Sequence, residues 1–214
     1  MKIRSKEELI DSLSADLGWR KKELTSLHSN VIISNSKNLP TALRCAIVML
    51  YAHWEGFIKN SAGSYLSYIK FQRLNLNQVN SSILALSLKQ KIIEFTESNK
   101  ASTHVKFVNY FQKNLTDRAI FSEIDSIKTQ SNLSSLILKE IFATLGLDIT
   151  HYELKSNLID KQLLKNRNNI AHGNQPPIDK DEYECLHSEI VGMLDRIYTD
   201  ISNSVVLELY KNVD

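Results

Sequence analysis

Arg167 and His172 are the side chains in this sequence whose types and spacing best suit chemistry on a phosphodiester. They stand in the segment Arg167-Asn168-Asn169-Ile170-Ala171-His172-Gly173. An imidazole that titrates near neutrality can take a proton from a ribose 2′-hydroxyl or give one to a departing 5′-oxygen. A guanidinium can neutralise the charge that grows on a phosphorane. The pair suffices for RNA cleavage without a metal. A blander alternative uses the same residues: Arg167 caps helix carbonyls or pairs with an acid, and His172 is a helix C-terminal residue favoured by the dipole.

Helical geometry constrains how the two can cooperate. His172 and Asn168 are four apart and share a helix face, so the Asn168 amide could orient the imidazole, whereas Arg167 is rotated by roughly 140° from His172 on an ideal helix. A single helix therefore aims arginine and histidine apart. Either the last turn unwinds before Gly173, or a second copy of the helix completes the site across a two-fold axis, and the homodimer is the favoured arrangement.

Other chemistries find no support. None of the six glycines forms a phosphate-cradling loop with a following Lys-Ser/Thr, or a dinucleotide fingerprint. The histidines at 28, 53, 104, 151, 172 and 187 show neither His-Glu-x-x-His nor paired-cysteine spacing, so no metal site and no cofactor are expected. There is no Gly-x-Ser-x-Gly turn, and neither Cys45 nor Cys185 has the setting of a nucleophile; both read as buried thiols in a reducing compartment. Twenty-six Lys and Arg face 24 Asp and Glu, a net charge of +2, which gives no broad footprint for coating a nucleic acid. Any RNA contact must be local.

The elements that must position Arg167 and His172 read as helices. Six glycines and three prolines in 214 residues leave little of the punctuation that short strands need. The chain is therefore expected to be all-α, a single helical domain over 1–214, an up-and-down bundle with extra short helices in the middle. Ser5 and Glu8 have capping-box spacing ahead of a leucine-rich helix to about Ser29. Pro40 suits the first turn of a long central helix with Leu43, Ile47, Leu50, Trp54, Phe57, Ile58, Tyr65 and Ile69 on one face. A third helix is expected over Ser81 to Phe95 and short helices over Thr103 to Gln130. A helix from about Leu133 ends at Gly146 with a left-handed cap, and another short helix follows. Leu158 to His172 is then helical and stopped by Gly173, Pro176 and Pro177, and a last long helix starts near Asp179 or Asp181. The N-terminus lacks a signal peptide's apolar stretch, and the run Cys45 to Ala52 is too short to span a bilayer, so the cytoplasm is the expected location.

Two segments carry a resemblance. Arg167 to Gly173 is similar to the Arg-x4-6-His signature of the HEPN superfamily, in the form Arg-Asn-x-x-x-His-Gly. Tyr51-Ala52-His53-Trp54-Glu55-Gly56-Phe57 resembles a Tyr-x-x-Trp-Glu-x-Phe segment of stand-alone prokaryotic HEPN proteins. The stretch from Leu74 to Gln130 matches nothing in it. The resemblance implies a helical bundle that dimerises through its motif helices. It also implies a metal-independent endoribonuclease, of the kind serving as a toxin or phage-defence effector, that leaves a 2′,3′-cyclic phosphate and a 5′-hydroxyl. RNA would be its substrate, and an antitoxin or defence-complex protein a possible partner, with no membrane involved. His172 would be the general acid/base, Arg167 the phosphate binder and Asn168 the orienting partner. Other HEPN proteins are inactive, bind nucleotides or act as scaffold subunits of multi-gene systems, which is the rival expectation.

Three supporting candidates lie on the central helix. Glu55 breaks its apolar face and could pair with Arg167 or His172 or form a structural ion pair. Tyr51 could serve the site or be a packed ring, and His53 is a possible contact. Trp54, in helical spacing with Leu50 and Ile58, reads as core.

Overall fold

The computed structural model describes residues 3–122, 127 and 132–212. Among them the chain is helical without a strand. The helices are α1 (Lys6–Ile33), α2 (Leu39–Phe71), a 3₁₀ turn at Leu76–Gln78, α3 (Ser81–Glu97), α4 (Ala101–Lys113), α5 (Ser135–Leu145) and α6 (Thr150–Glu153). A π-helical segment, Leu158–Leu164, then runs into α7 (Lys165–Ala171), and α8 (Lys180–Val206) closes the chain. The short helices expected between Thr103 and Gln130 resolve into α4 and a non-helical stretch to Ser122; the part of that expectation on 123–126 and 128–130 lies outside the described residues.

Local chemistry sets the boundaries. The Ser5 hydroxyl accepts from the Glu8 amide at 3.2 Å, while the Glu8 carboxylate accepts from the amide of Arg4 rather than that of Ser5. Asn80, Ser134 and Asp179 cap α3, α5 and α8 through side-chain oxygens. Gly146 ends α5 at φ +70°, where a residue with a Cβ would be strained.

The core is built by α1, α2 and α8, which pack on one another along their lengths. Five residues connect α1 to α2 and fold the second helix back along the first. Leu43, Ile47, Leu50, Trp54, Phe57, Ile58, Tyr65 and Ile69 are all buried along α2, each large side chain contributing roughly 1.5–3 kcal/mol of transfer free energy. The two cysteines depart from the expectation of burial: both are exposed. Cys45 lies within an apolar run, but helical period turns it outward between the inward-facing Leu43 and Ala46. No helix among the described residues is long and apolar enough to cross a membrane.

Candidate functional site

The motif helix is not α-helical throughout. From Leu158 to Leu164 the backbone bonds i to i+5, and the Lys165 amide donates to the carbonyl of Asp160. Such segments are rare and change the angular register of whatever follows. Ile159 and Leu163 anchor this one in the core. Asp160 fixes it from the other side, its carboxylate accepting from the Ser135 amide at 2.8 Å and the Ser135 hydroxyl at 2.6 Å at the start of α5. The α-helix resumes at Lys165 and packs α7 on α2.

That packing delivers Arg167 to the face of α2 that carries Tyr51 and Glu55, one turn apart. The guanidinium carbon lies 4.0 Å from the centroid of the Tyr51 ring, close enough for a cation–π attraction of about 1 kcal/mol. Its Nη1 donates to the Asn168 side-chain oxygen at 2.6 Å, and its Nη2 lies 3.7 Å from Glu55 Oε2. Tyr51 is held in turn, because its buried hydroxyl accepts the Leu133 main-chain N–H at 2.7 Å. Burial above all, with the Glu55 charge adding, pushes the Tyr51 hydroxyl up to about 12, partly offset by the Leu133 N–H and by Arg167. The ring therefore stays a neutral phenol under the cation at physiological pH.

His172 goes elsewhere. α7 stays helical to Ala171, and the His172 amide still bonds the Asn168 carbonyl at 3.0 Å. Gly173 follows at φ +81°, its amide bonding Ile170 O while that of Asn174 bonds Asn169 O. This is a Schellman stop, which needs a residue tolerant of the left-handed region. The turn does not unwind before His172, so the imidazole projects from an exposed helix end while Arg167 points back at α2.

The structure thus brings Arg167, Asn168, Tyr51 and Glu55 together and sets two other candidates apart. The Asn168 side chain engages Arg167 rather than orienting His172, its oxygen accepting from the guanidinium that lies against Tyr51 and Glu55. His53 is not beside the motif. It is half a turn around α2, buried against α1, with its ring edge-on to Trp19 and Nε2 2.8 Å from Glu23 Oε2, though not aligned for a hydrogen bond. Trp54 is fully buried core. Sequence reasoning missed the Leu133 amide and Asp160 as supports. Asp160 broke the apolar pattern of its helix and was the available signal; a backbone amide leaves none. Among the described residues no group of three or more His, Cys, Asp or Glu lies close enough to hold a metal ion.

An all-helical bundle presenting Arg-Asn-x-x-x-His at the end of a helix, against a Tyr-x-x-x-Glu turn of its central helix, defines a HEPN-type domain. The model of the RiboL-PSP-HEPN family matches residues 15–203, and the chain belongs to that family. No curated protein and no solved structure matches the chain. Membership suggests a function of the RNase or nucleotide-binding type.

Proposed function

We infer that this protein is a metal-independent endoribonuclease working as a homodimer, a toxin or phage-defence effector whose partners are RNA and an antitoxin or defence-complex protein. The divergence of Arg167 and His172 on a helix that stays wound to Ala171 carries this reading. A second copy placed across a two-fold axis sets each exposed imidazole toward the other protomer's guanidinium and supplies two histidines to one cleft. One imidazole then takes the proton of the 2′-hydroxyl as that oxygen bonds phosphorus. The other, as imidazolium, protonates the 5′-oxygen as its bond to phosphorus breaks. The products are a 2′,3′-cyclic phosphate and a 5′-hydroxyl. Arg167, oriented by Asn168 and Tyr51, stabilises the charge on the non-bridging oxygens.

The test is RNA cleavage in EDTA. The purified protein should cleave, and His172→Ala and Arg167→Ala should each lower the rate by at least about 10²-fold with helicity unchanged. Cleavage that stops on chelation and returns with added metal defeats the mechanism, and a wild-type rate in either variant removes that residue from the site.

One observation favours a second reading. Glu55 and the Tyr51 ring already compensate the Arg167 charge, as they would if the arginine only held α7 to α2 in a non-catalytic nucleotide-binding, RNA-binding or scaffold subunit. Such a protein cleaves nothing, and Arg167→Ala would lower its stability instead of a rate.

A further inference from the structure

The hairpin of α3 and α4 differs from the rest of the molecule in charge and in packing. Residues 81–113 hold five lysines against Glu94 and Glu97, net +3 in a chain whose total is +2, so all other residues together carry net −1. α4 has no buried residue and packs chiefly on α3. Between the two helices runs a groove of about 260 Å3 lined by Lys91, Glu94, Thr103, Lys106, Phe107 and Tyr110. Phe107 is backed by Phe95, ring centroids 5.0 Å apart, and the Lys91 ammonium lies 4.0 Å over the Tyr110 ring.

We propose that this groove is a docking site for single-stranded RNA. Two rings flanked by two lysines match what an unpaired strand offers, a flat base with an anionic phosphate on either side. A base stacks on Tyr110 in the place of the Lys91 ammonium, which swings with Lys106 onto the adjoining phosphates. A cation–π contact is exchanged for a stack and two ion pairs. Glu94, the acid in the wall, opposes the phosphate and keeps the site weak enough to release its strand. In a nearly neutral chain the charge that meets RNA has to be concentrated, and two stretches concentrate it, each to net +3: this hairpin, and the motif segment 155–173 with Lys155, Lys161, Lys165 and Arg167 against Asp160. The hairpin also joins the framework of the motif helix, since α3 packs on α5 and α5 is held through Ser135 to Asp160. The inference rests on the RNA reading of the Arg167–His172 site and gives that site a strand to work on.

The experiment measures fluorescence anisotropy of labelled oligo(U) of about 15 nucleotides. It uses the full chain carrying Arg167→Ala and His172→Ala, so that the probe survives. Tyr110→Ala and the pair Lys91→Ala/Lys106→Ala should each weaken binding by about ten-fold or more, while Tyr110→Phe binds normally. Glu94→Gln should tighten it. Lys22→Ala/Lys59→Ala, the same charge removed from exposed positions elsewhere, should change it less than about two-fold, whereas the hairpin pair should flatten the salt dependence by about one to two units of slope. No oligo(U) binding, equal losses in both lysine pairs, or weaker binding by Glu94→Gln would each overturn the proposal. If the alanine variants lose helicity, Glu94→Gln and Tyr110→Phe decide alone. Hairpin-dependent binding by a protein that cleaves nothing upholds the groove and defeats the nuclease. Cleavage with full oligo(U) binding in the hairpin variants does the reverse.

Discussion

Two arginines pack against opposite faces of α2, each with an aromatic ring and an acid, and they come to different ends. Arg20 of α1 has only 6% of its side chain exposed; its Nε lies 3.1 Å from Asp16 Oδ1, its guanidinium sits over Trp19 at 4.6 Å, and Nη1 donates to the His53 carbonyl. Gly56 makes room for it, since a Cβ there would stand 2.7 Å from Nη1. Arg167 of α7 keeps 20% exposure and a longer ion pair of 3.7 Å to Glu55, over Tyr51. The same ingredients make a structural brace where the cation is sealed in. Where the helix ends near solvent they hold a guanidinium in place at the surface. The difference lies in burial and in the length of the ion pair, neither of which is a property of the residue types.

The largest expected effect breaks the brace. Arg20→Ala, which leaves the Asp16 carboxylate with only the Trp19 and Asn60 N–H donors and opens a void beside Gly56, should lower unfolding stability by about 2–3 kcal/mol. Arg167→Ala should stay within about 1 kcal/mol of wild type, its pair being part-exposed and longer. Urea unfolding followed by circular dichroism measures both, and equal losses would erase the distinction. Next in size, Gly173→Ala forces an L-residue to φ +81° and should cost about 1–2 kcal/mol. It should also reduce cleavage by displacing His172, whereas Gly173→Asn should lose less of both.

A smaller effect tests whether the part-exposed Arg167 serves a site shared between protomers. When wild type is mixed with an equal amount of the Arg167→Ala/His172→Ala variant and subunits exchange freely, about a quarter of dimers are fully wild type. Activity per dimer should fall near that fraction. A value near one half, with exchange confirmed by mass spectrometry, assigns a complete site to each chain. The smallest effect lies on the Arg20 face. Burial holds His53 below its ordinary 6.5, the nearby Glu23 carboxylate opposing and the Arg20 charge adding. The unfolded chain then binds a proton near pH 6.5 that the folded chain accepts only at lower pH, so stability should fall as pH drops below about 6.5. His53→Gln should shallow that slope in thermal melts across the interval, and an unchanged slope would remove His53 as the cause.

Much of the helical frame was legible because it rests on local rules. The apolar period along α2, the Ser5 and Asp179 caps and the glycine stops at Gly146 and Gly173 each act within a turn or two of backbone, so the sequence carries them directly. Within the hairpin α3 was legible nearly to its ends, but α4 only as part of a run of short helices, since its face toward solvent is itself partly apolar, with Val105, Val108 and Phe111 exposed, and this blurs the contrast that marks a helix. The exposed Cys45 was misread for a related reason: an apolar run on a helix surrounds the rod, and only the packing of neighbours decides which side is inside.

By itself the sequence determined an all-helical chain and placed Arg167 and His172 about 140° apart on one helix, because turn geometry and capping are short-range. Tertiary structure decided what each of them meets. The π-helical register of Leu158–Leu164 is fixed by Ile159 and Leu163 in the core and by Asp160 on α5, long-range contacts with no signature in spacing. That register turns Arg167 onto Tyr51 and Glu55, takes Asn168 with it, and leaves His172 exposed at the helix end, while His53, two residues from Tyr51, is carried to the opposite face and buried against α1.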